Sequence, residues 1–343
     1  MIILNTIILI PEEFTMSKII PAPLKSGDEV RIIAPSTGIK IIGSDTRDIA
    51  KQRFEAMGLK VTFGKNTTDD NFDMLGSSEV HKRAEDINDA FADPNVKAIF
   101  TIIGGFNSNQ VLPFLDYELI KSNPKIICGF SDITALLNGI YAKTGLATFL
   151  GPHYSSFGMK FGFEYSLETF KKILFEQTTY PITPSREWSD DLWFINQDKR
   201  EFIKNDGHWC LQSGNAKGTI IGGNLGTLTL LLGTPYWSGF KSDTVLLAED
   251  CFSSSADAKI FLRNLQAIAY QPDFQNVKGI LIGRFQKASA INKDILAHII
   301  SSIPQLRNIP IIANLDFGHT TPLLTLPIGG TAEICNNEIT IKY

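Results

Sequence analysis

A chain of 343 residues is longer than one hydrophobic core usually serves, so two domains are expected. Its 43% hydrophobic and 20% charged residues describe an ordinary globular protein, and a net charge of −4 excludes a basic surface for nucleic acid or anionic membrane. The four cysteines, Cys128, Cys210, Cys251 and Cys335, are scattered without CxxC or metal-like pairing, which suits reduced thiols in a cytoplasmic setting.

Met1–Ile10 is apolar but lacks a basic leader and a small-residue cleavage site, and it is too short to span a bilayer. No export signal is read there. Met16-Ser17-Lys18 is the more ordinary soluble start, and residues 1–16 are set apart as a non-native or disordered extension.

Glu29–Ala34 reads as a first buried strand, followed by the loop Pro35-Ser36-Thr37-Gly38. Helical spacing over Asp45–Met57, a strand at Leu59–Phe63 and a helix at Ser78–Phe91 come next. The β-branched and aromatic run Val96–Ile103 is a strand, broken by Gly104-Gly105-Phe106-Asn107, after which Ser108–Leu115 resumes helical spacing. Lys125–Cys128 is a strand, Ile133–Lys143 a helix and Ala147–Leu150 a short strand. This alternation implies βαβ units and a parallel sheet, in which sites lie at the carboxyl ends of strands. Ser36, Gly104-Gly105 and Ser131 all fall there.

Over 177–213 the periodicity fades into prolines and charges, a linker or lid between an α/β domain at 17–176 and a second domain at 214–343. Trp188, Trp193 and Trp209 concentrate in it, equally readable as core or as a substrate-covering surface. The second domain opens with a strand at Gly218–Ile221, a tight turn at Gly222-Gly223-Asn224 and a helix at Leu225–Leu232. Thr244–Ala248 is a strand ending at Glu249-Asp250, and Ser255–Ala269 is an amphipathic helix with Ser253 to Ser255 as caps. Val277–Ile282, Ile309–Ala313 and Ala332–Lys342 are further strands, and Pro310 makes the second an edge strand or a later-starting one.

The chemistry centres on Gly129-Phe130-Ser131-Asp132. A serine between a strand end and a helix start is where many folds expose a nucleophile, although Ser131 or Asp132 reads just as naturally as a helix N-cap. A nucleophilic serine needs a base and a group to orient it. His81 and His298 look like surface residues and His208 lies in the linker. His153 follows Gly151-Pro152 and could line the Ser131 edge; His319, in a loop after an apolar strand and followed by Pro322, is well placed to be fixed. Glu249, ending an apolar strand, brings a carboxylate to the sheet rim, where burial calls for a partner. The order Ser131, Glu249, His319 is that of α/β-hydrolases, but their elbow needs glycine where this chain has Ile133. An amidotransferase would want cysteine at the elbow, and Cys128 falls three residues early, inside the strand. The Gly104-Gly105 turn and the Asp132 amide could donate to an oxyanion.

Taken together, these segments resemble the LD-carboxypeptidase family of serine peptidases. The resemblance rests on Ala34-Pro35-Ser36, Gly104-Gly105-Phe106-Asn107-Ser108, Gly129-Phe130-Ser131-Asp132, Gly222-Gly223-Asn224-Leu225, Leu247–Asp250 and Phe317-Gly318-His319. Gly105-Phe106-Asn107-Ser108-Asn109 and Glu187-Trp188-Ser189-Asp190-Asp191 look more like the microcin C self-immunity branch than the peptidoglycan-recycling branch. The resemblance implies a Ser131–His319–Glu249 triad and an oxyanion hole from Gly104, Gly105 and Asp132. It also implies substrate contacts from Phe106, Asn107, Trp188 and Asn224, with Trp188 stacking on a base. Asp132 is read as an amide donor and helix cap, and His153 receives no catalytic role. The implied fold is an α/β, flavodoxin-like N-terminal domain with a parallel sheet, plus a smaller β-rich C-terminal domain of swivelling or barrel-like form. A homodimer without metal or organic cofactor is implied, acting on a small peptide-like or peptidyl-nucleotide substrate: a murein tetrapeptide or an aminoacyl nucleotide. The competing class is a two-lobed binding protein without turnover.

Overall fold

The computed structural model describes residues 17–68, 72–251 and 257–343. The extension at 1–16 and the caps expected at Ser253 to Ser255 lie outside the described residues. Two sheets organise the chain. The first is built from β1 (Glu29–Ile33), β2 (Lys60–Phe63), β3 (Val96–Thr101), β4 (Ile126–Gly129) and β5 (Thr148–Leu150), running β2-β1-β3-β4-β5 with every pairing among these parallel. That order is the flavodoxin-like one, whose ligand site falls where the strand order reverses, between β1 and β3. Helices α1 (Ser44–Ala56), α2 (Val80–Ala92), α3 (Tyr117–Ser122), α4 (Thr134–Thr144) and α5 (Glu164–Lys171) surround it. Both sheet faces are covered, so β3 and β4 read as continuous apolar runs with almost every residue buried.

The stretch 177–213 is more structured than its composition suggests. It holds β6 (Tyr180–Ile182), the two-residue strands β7 (Glu187–Trp188) and β8 (Ile203–Lys204), and β9 (Trp209–Gln212). These strands are too short for alternation to register, and β6 and β9 form the two outer edges of the second sheet.

That sheet has eight strands. Its centre is β10 (Ala216–Asn224), β11 (Thr244–Glu249), β12 (Val277–Gly283) and β13 (Ile311–Leu315), all parallel. Leu326–Ile328 (β14) crosses to the first sheet and pairs antiparallel with β5. The expected single strand over Ala332–Lys342 is a hairpin, β15 (Thr331–Cys335) and β16 (Glu338–Lys342), turned by Asn336 and Asn337 with φ of 51° and 68°. Pro310 precedes β13, which starts one residue later and is internal. Gly222-Gly223-Asn224 is the end of β10 rather than a turn: a Cβ on Gly222 would stand 2.1 Å from the Leu247 carbonyl oxygen, so glycine lets β11 close up. Helices α6 (Leu225–Thr229), α7 (Asp257–Ala269) and α8 (Lys293–Ser302) complete this half. Among the described residues no helix is long and apolar enough to cross a membrane.

The two sheets are joined at α4. Asn138 donates through Nδ2 to the Gly222 carbonyl at 3.0 Å and accepts the Gly222 N–H at 3.1 Å, while the Asn224 N–H donates to Thr134 Oγ1 at 3.0 Å. All of these groups are buried. Asn138→Ala strands both polar groups of Gly222 away from water, a loss on the order of 2–5 kcal/mol. Urea unfolding measures it; a loss below about 1 kcal/mol would mean the join is not energetically important.

Candidate active site

The carboxyl ends of both parallel sets open onto one cleft of about 450 Å³. β4 ends at Gly129, Phe130 is extended, and Ser131 turns the chain with φ +59° before α4 begins. A non-glycine residue in the left-handed region is uncommon and strained, and it aims this side chain out of the strand-to-helix corner. Ser131 does not cap the helix: neither the short turn it starts nor α4 has a side-chain N-cap bond.

Glu249 is the last residue of β11, 1% exposed. His319 lies in the loop after β13, where Gly318 at φ +106° lets the backbone pass so close that a Cβ would lie 3.0 Å from Glu249 Oε2. His319 Nδ1 lies 2.9 Å from Glu249 Oε2 and His319 Nε2 lies 2.9 Å from Ser131 Oγ. Serine, imidazole and carboxylate thus form one hydrogen-bonded line across the two sheets. Burial pushes the His319 imidazolium down, but the adjoining Glu249 carboxylate, with the Cys251 sulfur adding to it, outweighs that and holds it above the ordinary histidine range. Asp250 points elsewhere: it accepts from Asn224 Nδ2, Asn264 Nδ2 and the Cys251 N–H, and burial beside Glu249 pushes it up to about 6.

Gly104 and Gly105 line the cleft. Gly105 has φ +154°, and a Cβ there would fall 2.1 Å from Ser36 Oγ, so only glycine allows this turn against the β1 loop. Ser36 Oγ accepts the Phe106 N–H at 3.1 Å and bonds Asn107 Oδ1 at 2.9 Å. Asp132 caps a helical segment other than its own. Its Oδ2 accepts the Ser108 N–H at 2.9 Å, and Ser108 Oγ donates to the Asp132 carbonyl at 2.6 Å. The turn after β3 is thereby tied directly to the Ser131 corner.

The four expected substrate contacts divide. Phe106 lines the cleft and is 94% exposed, an aromatic face left open to a ligand. Asn107 instead braces the glycine turn, bonded to Ser36, Ser77 and Arg83. Asn224 caps α6 by accepting the Thr227 N–H at 3.0 Å, and donates to Asp250. Trp188 lies against the Arg284 guanidinium at 5.2 Å and the Lys287 ammonium at 5.9 Å, outside the cleft lining. A buried Arg284–Asp316 ion pair, whose carboxylate also holds Ser185, anchors that segment. Trp193, five residues on, is the tryptophan that faces the cleft, next to Phe194. Ser189 and Thr321 exchange backbone bonds of 2.8 and 2.7 Å, which pins this segment to the His319 loop. Sequence reading offered all three tryptophans equally as core or as a substrate-covering surface and singled out Trp188 on resemblance, because the three carry no local signal that separates them. It also left His153 without a role, although the structure brings this residue to the cleft wall.

Among the described residues no cluster of side chains could hold a metal ion.

Comparison with known proteins agrees with this architecture. The LD-carboxypeptidase N-terminal domain matches residues 30–151 and the LD-carboxypeptidase C-terminal domain matches 217–334. YocD of Bacillus subtilis, named as a carboxypeptidase, is 49% identical over 312 residues, 91% of this chain and 94% of its own length. A crystal structure of an MccF-like protein from Bacillus anthracis superposes with a TM-score of 0.92 at 45% identity, covering 94% of this chain and 99% of that one. MccF, the microcin C7 self-immunity protein of Escherichia coli, in complex with glutamyl sulfamoyl guanosine, superposes with a TM-score of 0.84 at 32% identity, covering 94% and 98%. The chain belongs to the LD-carboxypeptidase family, and its fold and relatives make it a peptide-bond hydrolase of the serine carboxypeptidase type.

The charge arrangement around His319 has a measurable consequence. A base works only unprotonated, so a raised imidazolium pKa moves the acidic limb of kcat/KM to higher pH. Glu249→Gln removes the main raising charge and leaves burial, which acts the other way, opposed only by the Cys251 sulfur. The limb should therefore shift downward while kcat falls, on the order of 10⁴-fold where a carboxylate orients a catalytic histidine. A pH–rate profile whose limb does not move would reject Glu249 as the partner.

Proposed function

We propose that Ser131, His319 and Glu249 are a catalytic triad hydrolysing an amide bond in a small peptide-like substrate. The unbroken 2.9 Å and 2.9 Å relay across the two sheets carries the reading. Ser131 Oγ attacks the acyl carbon and its proton passes to His319 Nε2. Glu249 holds Nδ1–H and stabilises the imidazolium. Backbone amides at Gly105 and Asp132 receive the oxyanion. The proton then goes to the leaving nitrogen, and water, activated by the same histidine, releases the acyl group from Ser131. Ser131→Ala should lower kcat on the order of 10⁴–10⁶-fold with the fold intact. Undiminished hydrolysis would refute the triad, and a chain that binds but never turns over would fit the two-lobed binding protein.

For the substrate, the cleft rim favours an aminoacyl or peptidyl nucleotide over a murein tetrapeptide. Ile41, Phe106, Leu192, Trp193 and Phe194 line it, and among its described lining residues none is Lys or Arg. A flat base gains from such a rim. Neither the carboxylates of a murein peptide nor the phosphate of a nucleotide meets a lysine or arginine there, so the aromatic rim carries the preference. The ligand in the MccF complex, glutamyl sulfamoyl guanosine, belongs to the favoured chemical class. A cytoplasmic homodimer completes the proposal.

Base–aromatic stacking contributes about 1–3 kcal/mol. Trp193→Ala should therefore raise KM for aminoacyl-sulfamoyl nucleosides roughly 5- to 150-fold while leaving murein tetrapeptide hydrolysis nearly unchanged, and Trp188→Ala should do less. Mass-spectrometric assay of both substrate classes decides; equal losses on both would remove the stacking role from Trp193.

A further inference from the structure

His153 follows β5 and the Gly151-Pro152 pair, and the mechanism above leaves it idle. It is 2% exposed. Its ring stacks on Phe130 with centroids 4.2 Å and planes 29° apart, and the same phenyl ring meets His319 edge-on at 5.5 Å. Phe130 thus has the general base on one contact and a second imidazole on the other. An atom at the Cβ position of Gly104 would lie 3.5 Å from His153 Nε2 and 3.3 Å from Ser131 Oγ. Nitrogen and hydroxyl thus flank the same side of the Gly104 backbone.

The protonation pattern of this ring follows from its one partner. Nδ1 lies 2.7 Å from Thr101 Oγ1, and Nε2 is buried with no partner among the described residues. In a neutral imidazole one nitrogen donates and the other accepts. The threonine hydroxyl has one proton and two neighbours. Its 3.3 Å approach to the Cys128 carbonyl is long for a hydroxyl bond, and 2.7 Å to Nδ1 is the length a hydroxyl donor favours. With the hydroxyl proton given to Nδ1 at 2.7 Å rather than to the Cys128 carbonyl at 3.3 Å, the ring proton sits on Nε2. Burial, with the His319 cation nearby, pushes the imidazolium down to about 3, so the ring stays neutral. A buried N–H without a partner is costly unless a ligand supplies one.

We propose that His153 is a further catalytic residue, its Nε2–H donating to the acyl oxygen as that oxygen turns negative under attack by Ser131. The assignment rests on the serine-hydrolase reading of the site. Ser131 Oγ forms the bond to carbon, the carbonyl π pair moves onto oxygen, and the serine proton goes to His319. His153 keeps its own proton throughout and hands it back to nothing. A neutral, preset donor suits this task, because it needs no reorganisation as charge develops and is too weak an acid to quench the oxyanion. Thr101 is a positioning residue that fixes which nitrogen carries the proton.

The test compares four proteins on one hydrolysed substrate. His153→Phe keeps the stacking ring but cannot donate, and should lower kcat on the order of 10²–10³-fold with KM little changed. His153→Gln places an amide N–H near the Nε2 position and should recover most of that loss. Thr101→Val leaves Nδ1 without its donor and should lower kcat as well. Ring ¹⁵N chemical shifts of His153 provide a readout independent of turnover: Nε2–H in the wild type, unchanged down to about pH 4, and a redistribution toward Nδ1–H in Thr101→Val. If His153→Phe folds and retains full kcat, or the wild-type ring carries its proton on Nδ1, the proposal is overturned. Should His153→Phe fail to fold, the Thr101→Val rate and the ¹⁵N shifts decide. A wild type inactive on every substrate of the panel would instead sink the hydrolase reading itself.

Discussion

The pair of hydrogen bonds between Asn138 and Gly222 is where the two halves of the molecule become one enzyme-like unit. Asn138 lies in the helix that Ser131 introduces, and Gly222 lies in the strand beside the one that ends at Glu249. A side-chain amide matches one peptide group in both donor and acceptor, so this contact sets translation and rotation together rather than distance alone. The 2.9 Å line from serine to carboxylate depends on that register. Slippage of even an ångström between the sheets would lengthen it beyond useful proton transfer.

Within that frame the site is an exercise in partnering buried charge. Glu249 is almost fully enclosed, with Oε2 on His319 and Oε1 without a hydrogen-bond partner among the described residues. Such a carboxylate is costly alone and much less so beside an imidazolium. In the proposed mechanism this makes the state that follows proton transfer to His319 the electrostatically favoured one. Asp250, one residue along, would add a second negative charge. Its three amide donors and its raised pKa reduce that repulsion.

Much of this was readable beforehand, for physical reasons. Strands such as Val96–Thr101 and Thr244–Glu249 are covered on both faces, so their composition is strongly constrained and announces them. Ser131, Glu249 and His319 stand at the ends of such strands, and a chain-order argument with a family resemblance could name them. What escaped reading depends on pairing across long separations. The strands Tyr180–Ile182 and Leu326–Ile328 are three residues each and contain proline, and only their sheet partners make them strands. The bonds that hold Asn107 to Ser36 and Ser77, and Asn224 to Asp250, join residues far apart in the chain and leave no local mark. Trp188 and Trp193 differ only in what folds against them, a pair of cations in one case and an open cleft in the other.

The C-terminal half sends β14 to finish the first sheet, and the segment before it sends β6 to finish the second. Each half therefore carries the other's edge protection. A chain divided near residue 207 would leave β5 and β16 each with a row of unpaired backbone groups, ready templates for association. The two pieces would be sticky in isolation and complementary to one another, so this architecture favours inheritance as a single gene over assembly from interchangeable modules.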